Sequence, residues 1–177
     1  FEGGHRVPFV ISWPKMVNGN QKFEGLSSSL DIFTTSLSAT KINKPKILQL
    51  DGKNLLPYVK GEKKGNPHET LFWRKLEESA VRKGNFKMIH LQNYGAVMYN
   101  LNEDLGEIND ISKQNKSQLD SMFLSYHIWQ QEMKTPLWVE GKGWMNVTYH
   151  IHQKLMQNKI PEYKDIWSPA FKKKKYK

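Results

Sequence analysis

The apolar positions change their spacing along the chain, and each change marks a different kind of element. The first apolar run is Val7-Pro8-Phe9-Val10-Ile11-Ser12-Trp13-Pro14, bracketed by prolines. Proline cannot donate to a central ladder but is tolerated at strand ends, so the run predicts one short buried strand over Val7 to Ser12. A turn-rich stretch from Lys15 to Gly25 follows. Leu30, Phe33 and Leu37 then fall three and four residues apart behind Ser28 and Asp31, whose spacing is that of a capping box. This predicts a helix from Ser28 to Ala39. From Lys41 to Pro67 the chain is rich in Lys, Gly, Asn and Pro and reads as connection with one helical turn.

Further along, the pattern turns to half-buried strands. Thr70-Leu71-Phe72-Trp73-Arg74 is dense in residues that suit one. Ala80 to Lys83 and Phe86 to Leu91 flank Gly84-Asn85, a two-residue loop with glycine first, which predicts a type II′ hairpin. Val97 to Leu101 supplies another strand, and together these segments predict a small antiparallel sheet. Ser117 and Asp120 repeat the capping-box spacing ahead of Leu119, Met122, Phe123, Tyr126, Trp129 and Met133. That stripe predicts an amphipathic helix from Ser117 to Met133 covering one face of the sheet. After Thr135-Pro136 the signal weakens to a helix over Asn146 to Gln157 and a Pro- and Lys-rich end.

Composition adds bounds. The 177 residues, 38% of them hydrophobic, suffice for a packed core. No apolar run reaches the roughly 20 residues that span a bilayer. The absence of cysteine removes disulfides, thiolate metal sites and a cysteine nucleophile from this chain. A formal net charge of +10 favours an anionic partner: nucleic acid, a sulfated polysaccharide or an acidic surface. Lys172 to Lys175 with Lys177 account for part of it and are expected to form a solvated tail. A basic polyanion- or nucleic-acid-binding module is thus the alternative to any catalytic reading.

Few side-chain clusters carry chemistry. His150 and His152 share a face only on a strand, and a metal site needs further ligands, so they read as ordinary surface or core histidines. Asp104 and Glu107 match no complete calcium loop and read as turn and cap residues. Asn115-Lys116-Ser117 and Asn146-Val147-Thr148 match the glycosylation triplet. Aromatic residues beside basic ones, Trp73-Arg74 and Trp138 to Trp144, have the make-up of surfaces that stack on bases or sugar rings, although such aromatics more often pack in cores.

The order of several short motifs says more than any one of them. Glu2-Gly3-Gly4-His5-Arg6-Val7-Pro8 is followed by Trp13-Pro14, then by Ser28-Ser29-Leu30-Asp31-Ile32-Phe33-Thr34-Thr35-Ser36-Leu37. Next come Asp51-Gly52-Lys53-Asn54-Leu55-Leu56-Pro57 with Gly61, and His68 to Arg74. Ala80 to Lys87 and Tyr99-Asn100-Leu101 with Asp104 and Glu107 complete the series. In this order the chain, up to about Trp129, resembles the C-terminal third of type I sulfatases, the arylsulfatase family, including N-acetylgalactosamine-6-sulfatase and arylsulfatase A. Phe33-Thr34-Thr35 stands where many members have a proline before the threonine, and Leu105 replaces the usual proline of an Asp-Pro turn.

The resemblance implies an α/β, alkaline-phosphatase-like fold of which this is the C-terminal part. Residues 1–66 would end the large α/β domain with a strand and helix of its central sheet. Residues 67–134 would form the small antiparallel sheet and its helix, and residues 135–177 an extension with a basic tail. The implied activity is hydrolysis of sulfate esters, with a formylglycine nucleophile and a calcium ion both carried by the upstream part of the fold. The nearest local imitation of the nucleophile motif, Ser12-Trp13-Pro14-Lys15-Met16, lacks its arginine and is rejected. His68, Trp73 and Arg74 are the candidate substrate-binding residues on a rim of the cleft, because arginine pairs with anionic groups and an aromatic ring stacks on a sugar. His5 and Arg6 are expected to support backbone. A sulfated carbohydrate or aryl sulfate is the expected partner, with neither nucleic acid nor membrane, in a periplasmic, extracellular or lysosomal setting.

Overall fold

The structure is a computed structural model that describes residues 1–43 and 47–162. The lysine-rich end, expected to be a solvated tail, lies outside the described residues. The chain forms two compact units, one of residues 3–71 and one of residues 1–2 with the chain from residue 72 onward.

The second unit is built on four antiparallel strands in sequence order, β1 (Thr70–Lys75), β2 (Glu78–Lys83), β3 (Phe86–Leu91) and β4 (Gly95–Asn100). Lys83 pairs with Phe86 across the expected two-residue loop, and Gly84 takes the left-handed φ of 57° that the loop requires. Leu91 pairs with Gly95 across a three-residue loop in which Asn93 is left-handed. Because side chains alternate, the register gives the sheet two distinct faces.

On one face Val81, Met88 and Met98 pack with Met122 and Tyr126 of α4 (Lys116–Gln131), joined by Phe72, Phe86 and Trp129. The Phe72 and Trp129 rings stack with centroids 5.0 Å apart. This is the helix that the stripe from Leu119 to Trp129 predicts. The Ser117–Asp120 capping box does not form: the helix opens at Lys116, whose ammonium takes the Asp120 carboxylate at 3.0 Å. The Asp120 carboxylate is engaged one turn away, in an exposed i,i+4 pair.

On the other face Ala80, Ile89, Leu91, Val97, Tyr99 and Leu101 form a core with Met156 of α5 (Lys142–Met156), and Trp73 and Tyr149 pack against it. The sheet is therefore covered on both sides, where sequence periodicity assigns a helix to only one. The helix placed at Asn146 to Gln157 begins four residues earlier. Polar contacts fix it to the sheet: His152 Nδ1 lies 2.8 Å from Glu78 Oε2, and the Tyr149 hydroxyl donates to the Gln92 carbonyl at 2.7 Å.

In the first unit α2 (Asp31–Ala39) and the short α3 (Leu56–Val59) are the regular elements besides the turn of helix α1 (Glu2–His5) that leads into it. The predicted strand over Val7 to Ser12 is absent. These residues form no ladder, and Val10 is 84% exposed. A strand exists only where a neighbour supplies hydrogen bonds, and Pro8 removes one donor from a segment with no partner among the described residues. The helix expected from Ser28 starts at Asp31, although half of its capping box forms, with the Asp31 carboxylate accepting from the Ser28 N–H at 2.8 Å.

Candidate functional site

The three sequence-derived rim residues fall in two environments. Trp73 and Arg74 are neighbours on β1 and point to opposite faces. Trp73 packs against the core beneath α5, so much of its ring is engaged by protein. The Arg74 guanidinium instead reaches the chain after α4, its Nη2 donating to the Lys134 carbonyl at 2.8 Å in an exposed position. One of five guanidinium donors is thereby used.

His68 belongs to the first unit and is buried. Its Nε2 lies 2.7 Å from Asp31 Oδ1, in a carboxylate that is itself fully buried. The same carboxylate accepts from the backbone N–H of Ser28 at 2.8 Å and of Lys53 at 2.7 Å. Asp31 thus ties the start of α2 to the Asp51-Gly52-Lys53 turn and to His68. Thr34 Oγ1 reinforces the joint by donating to the Gly52 carbonyl at 3.0 Å. A Cβ at Gly52 would lie 2.1 Å from the Leu30 carbonyl oxygen, which explains glycine there by close backbone approach.

Sequence reasoning missed a buried ionic cluster in the second unit. Lys87, fully buried on β3, places its ammonium 3.0 Å from Glu2 Oε1 and 2.8 Å from Glu107 Oε1. Arg82, paired with Lys87 in the β2–β3 register, reaches Glu2 Oε2 at 3.2 Å. The Glu2 N–H donates to Glu107 Oε2 at 2.6 Å. Glu107 Oε1 makes no aligned hydrogen bond and is held by charge, and the residue adopts a left-handed φ of 57° to bring its carboxylate in. The signal that would have found the cluster is the row Lys87, Ile89, Leu91, one sheet face in which a lysine stands among apolar residues and needs a buried partner. Asp104 does perform the expected turn chemistry, its Oδ2 accepting from the Ile108 and Asn109 N–H groups at 2.9 and 2.7 Å.

Tyr99 and His90 of this unit are displaced from their ordinary values. Burial, followed by the carboxylates of Asp110, Glu107 and Asp104, pushes the Tyr99 phenol above its usual range. Burial, followed by the nearby His127, lowers His90, whose Nδ1 lies 3.3 Å from Ser79 Oγ. Among the described residues no three His, Asp or Glu side chains converge where a cation could be held. The sequence has no cysteine and no Ser-x-Pro-x-Arg segment. These residues do not fit the calcium ion or the formylglycine that the resemblance implies.

The motif order finds its match among known proteins. Residues 1–134 match the family model N-sulphoglucosamine sulphohydrolase, C-terminal. The chain belongs to the sulfatase family. It corresponds to the C-terminal portion of a type I sulfatase. Over 74 residues it is 39% identical to the uncharacterized sulfatase YdeN of Escherichia coli K12, an alignment covering 41% of this chain and 13% of that one. Over 57 residues it is 44% identical to human N-acetylgalactosamine-6-sulfatase, covering 32% of this chain and 11% of the relative.

Among solved structures, Ps i-CgsB superposes with a TM-score of 0.64 at 23% identity, over 86% of this sulfatase chain and 33% of its own. Its complex with k-i-k-neocarrahexaose superposes equally widely, with a TM-score of 0.63. The chain thus spans about a third of the length of these solved proteins and about an eighth of the curated relatives. The alkaline-phosphatase-like assignment stands, and the open four-stranded sheet with its helices is the C-terminal part of that fold.

Proposed function

We propose that this chain is the C-terminal portion of an enzyme that hydrolyses sulfate esters of a sulfated carbohydrate, in a periplasmic, lysosomal or extracellular setting. The reading is carried by the family match over residues 1–134. The carbohydrate is favoured because a solved protein of the same fold binds neocarrahexaose, and because the net charge of +10 suits a polyanionic substrate. The formylglycine nucleophile and calcium would come from the part of the sulfatase fold that precedes Glu2-Gly3-Gly4, and they would supply the attacking oxygen and neutralise the sulfate. Residues 1–66 would close the large α/β domain. An apolar groove lined by Phe9, Val10, Ile11, Trp13, Ile32 and Leu56 supports this, since its exposed side chains need cover.

The contribution of this chain to the cleft would be a rim. Arg74 is the candidate that pairs with an anionic or hydroxyl group of the sugar, and His68 and Trp73 are the other two candidates. Their packing on Asp31 and on the core beneath α5 makes them the supporting members. In the full-length enzyme, Arg74→Ala is expected to lose about 1.5 to 3 kcal/mol of transition-state binding on a sulfated oligosaccharide. Steady-state kinetics with a melting curve decide it: an unchanged kcat/KM, or a fall matched by a lower melting temperature, would assign Arg74 to structure. The enzyme reading itself is tested by the parent reading frame. A Cys/Ser-x-Pro-x-Arg motif and an Asp-Asn pair are expected upstream of Phe1, and an upstream sequence lacking both would sink it. The 177-residue chain alone is expected to show no turnover of an aryl sulfate.

A further inference from the structure

Between α4 and the body of α5, residues 134–144 (Lys-Thr-Pro-Leu-Trp-Val-Glu-Gly-Lys-Gly-Trp) begin at the last residue matched by the family model and run beyond it. They are tied down at two points by consecutive residues of β1. Arg74 holds the Lys134 carbonyl at 2.8 Å, and the Lys75 ammonium lies 3.2 Å from Glu140. Lys75 also reaches Thr148 Oγ1 of α5 at 3.4 Å. The segment is therefore a strap tethered at two points, and it displays apolar groups: Leu137 is 90% and Trp138 83% exposed, and Trp144 is half exposed at the start of α5.

Each tether lowers the ordering cost that a free loop would meet on binding. The charge of the segment is lopsided. With the β1 residues that hold it, the strap brings together Arg74, Lys75, Lys134 and Lys142 against the single carboxylate of Glu140. Lys75 and Glu140 pair with each other, which leaves positive charge on either side of Trp138, at Lys134 and Lys142, both exposed.

We infer that this strap is a binding platform for a sulfated polysaccharide, with Trp138 stacking on the apolar face of one pyranose ring and Lys134 and Lys142 pairing with its sulfate groups. The size of the patch favours this occupant over a protein. A stable protein interface buries about 800 Å² on each partner, whereas the strap offers only a few side chains. An indole presents a flat apolar face suited to the C–H side of a sugar. Ammonium groups beside it select sulfated from neutral chains, at a strength that salt will screen. The inference rests on the carbohydrate-sulfatase reading for its ligand class, and it adds a contact centred on Trp138 and Lys142, which lie beyond the stretch that the family model matches.

The test is direct binding of a sulfated galactan hexasaccharide to the full-length protein, measured by calorimetry beside its desulfated counterpart. Trp138→Ala should weaken binding about tenfold, the scale of one stacked ring, and Trp138→Tyr should retain most of it. Lys134→Gln with Lys142→Gln should reduce the preference for the sulfated ligand and flatten the salt dependence. Melting curves confirm that each variant is folded, as substitutions at exposed positions should be. Unchanged affinity in folded Trp138→Ala overturns the platform. So does a Trp138→Ala protein that binds the sugar normally but no longer co-sediments with anionic lipid vesicles or no longer self-associates. Turnover of an aryl sulfate by the wild-type protein is measured in parallel. Absent turnover with Trp138-dependent binding supports the platform and sinks the sulfatase reading, whereas turnover with Trp138-independent binding sinks the platform alone.

Discussion

Lys87 is the residue whose environment departs furthest from its chemistry. A fully buried ammonium is tolerated because Glu2 and Glu107 stand at 3.0 and 2.8 Å, and removing one partner of such a group leaves uncompensated charge in the core. Lys87→Met is therefore expected to destabilise the protein by about 3 to 5 kcal/mol in urea unfolding. Lys87→Met combined with Glu107→Leu should recover part of the loss, because one of the stranded carboxylates is gone. Equal midpoints for the single and double variants would mean that the cluster is solvated. His90 makes a second prediction, on pH. Burial and His127 hold its folded pKa below the ordinary histidine value of about 6.5, so the folded state binds fewer protons than the unfolded chain. The stability this contributes is present above the unfolded pKa and is lost as pH falls through it toward the folded value. Thermal melts from pH 8 to 5 should show that loss, and His90→Asn should flatten it.

Among the elements, α2 owes its position to one carboxylate. Asp31 accepts from Ser28, Lys53 and His68, and hydrogen bonds to a charged acceptor contribute about 1.5 to 3 kcal/mol each. Asp31→Ala should therefore cost on the order of 3 kcal/mol or more, read from the unfolding midpoint. At the facing turn, Gly52→Ala should destabilise by about 1 to 3 kcal/mol through overpacking, because the added methyl meets the Leu30 carbonyl, part of the backbone leading into α2. A neutral result there would show that the Asp51-Gly52-Lys53 turn can move. The helix α5 is held differently, by Met156 in the core and by rim contacts such as His152 with Glu78.

At the scale of the molecule, the two units answer to different demands. The second unit closes both faces of its sheet with its own helices. The first exposes Val7, Phe9, Val10, Ile32 and Phe33, a concentration of apolar surface that isolated globular domains avoid. If the large α/β domain of a sulfatase covers them, Val10→Glu should leave the 177-residue chain as stable as before and improve its solubility. In the full-length protein the same substitution should lower the melting temperature. A full-length melting temperature unchanged by Val10→Glu would place that surface away from the rest of the fold.

The sequence alone determined the strands at Thr70, Ala80, Phe86 and Val97, the glycine-first loop at Gly84 and the helix carrying Met122 and Tyr126, because period and turn chemistry are local properties. Motif order was enough to place the chain among sulfatases. Tertiary structure decided what depends on partners far along the chain. It left Val7 to Ser12 without a ladder, since a strand needs a neighbour that local sequence cannot name. It laid α5 on the second face of the sheet, where Tyr99 and Leu91 required cover. It also gathered Glu2, Arg82, Lys87 and Glu107, because a charge is buried only where the fold returns its counter-charge from up to 105 positions away.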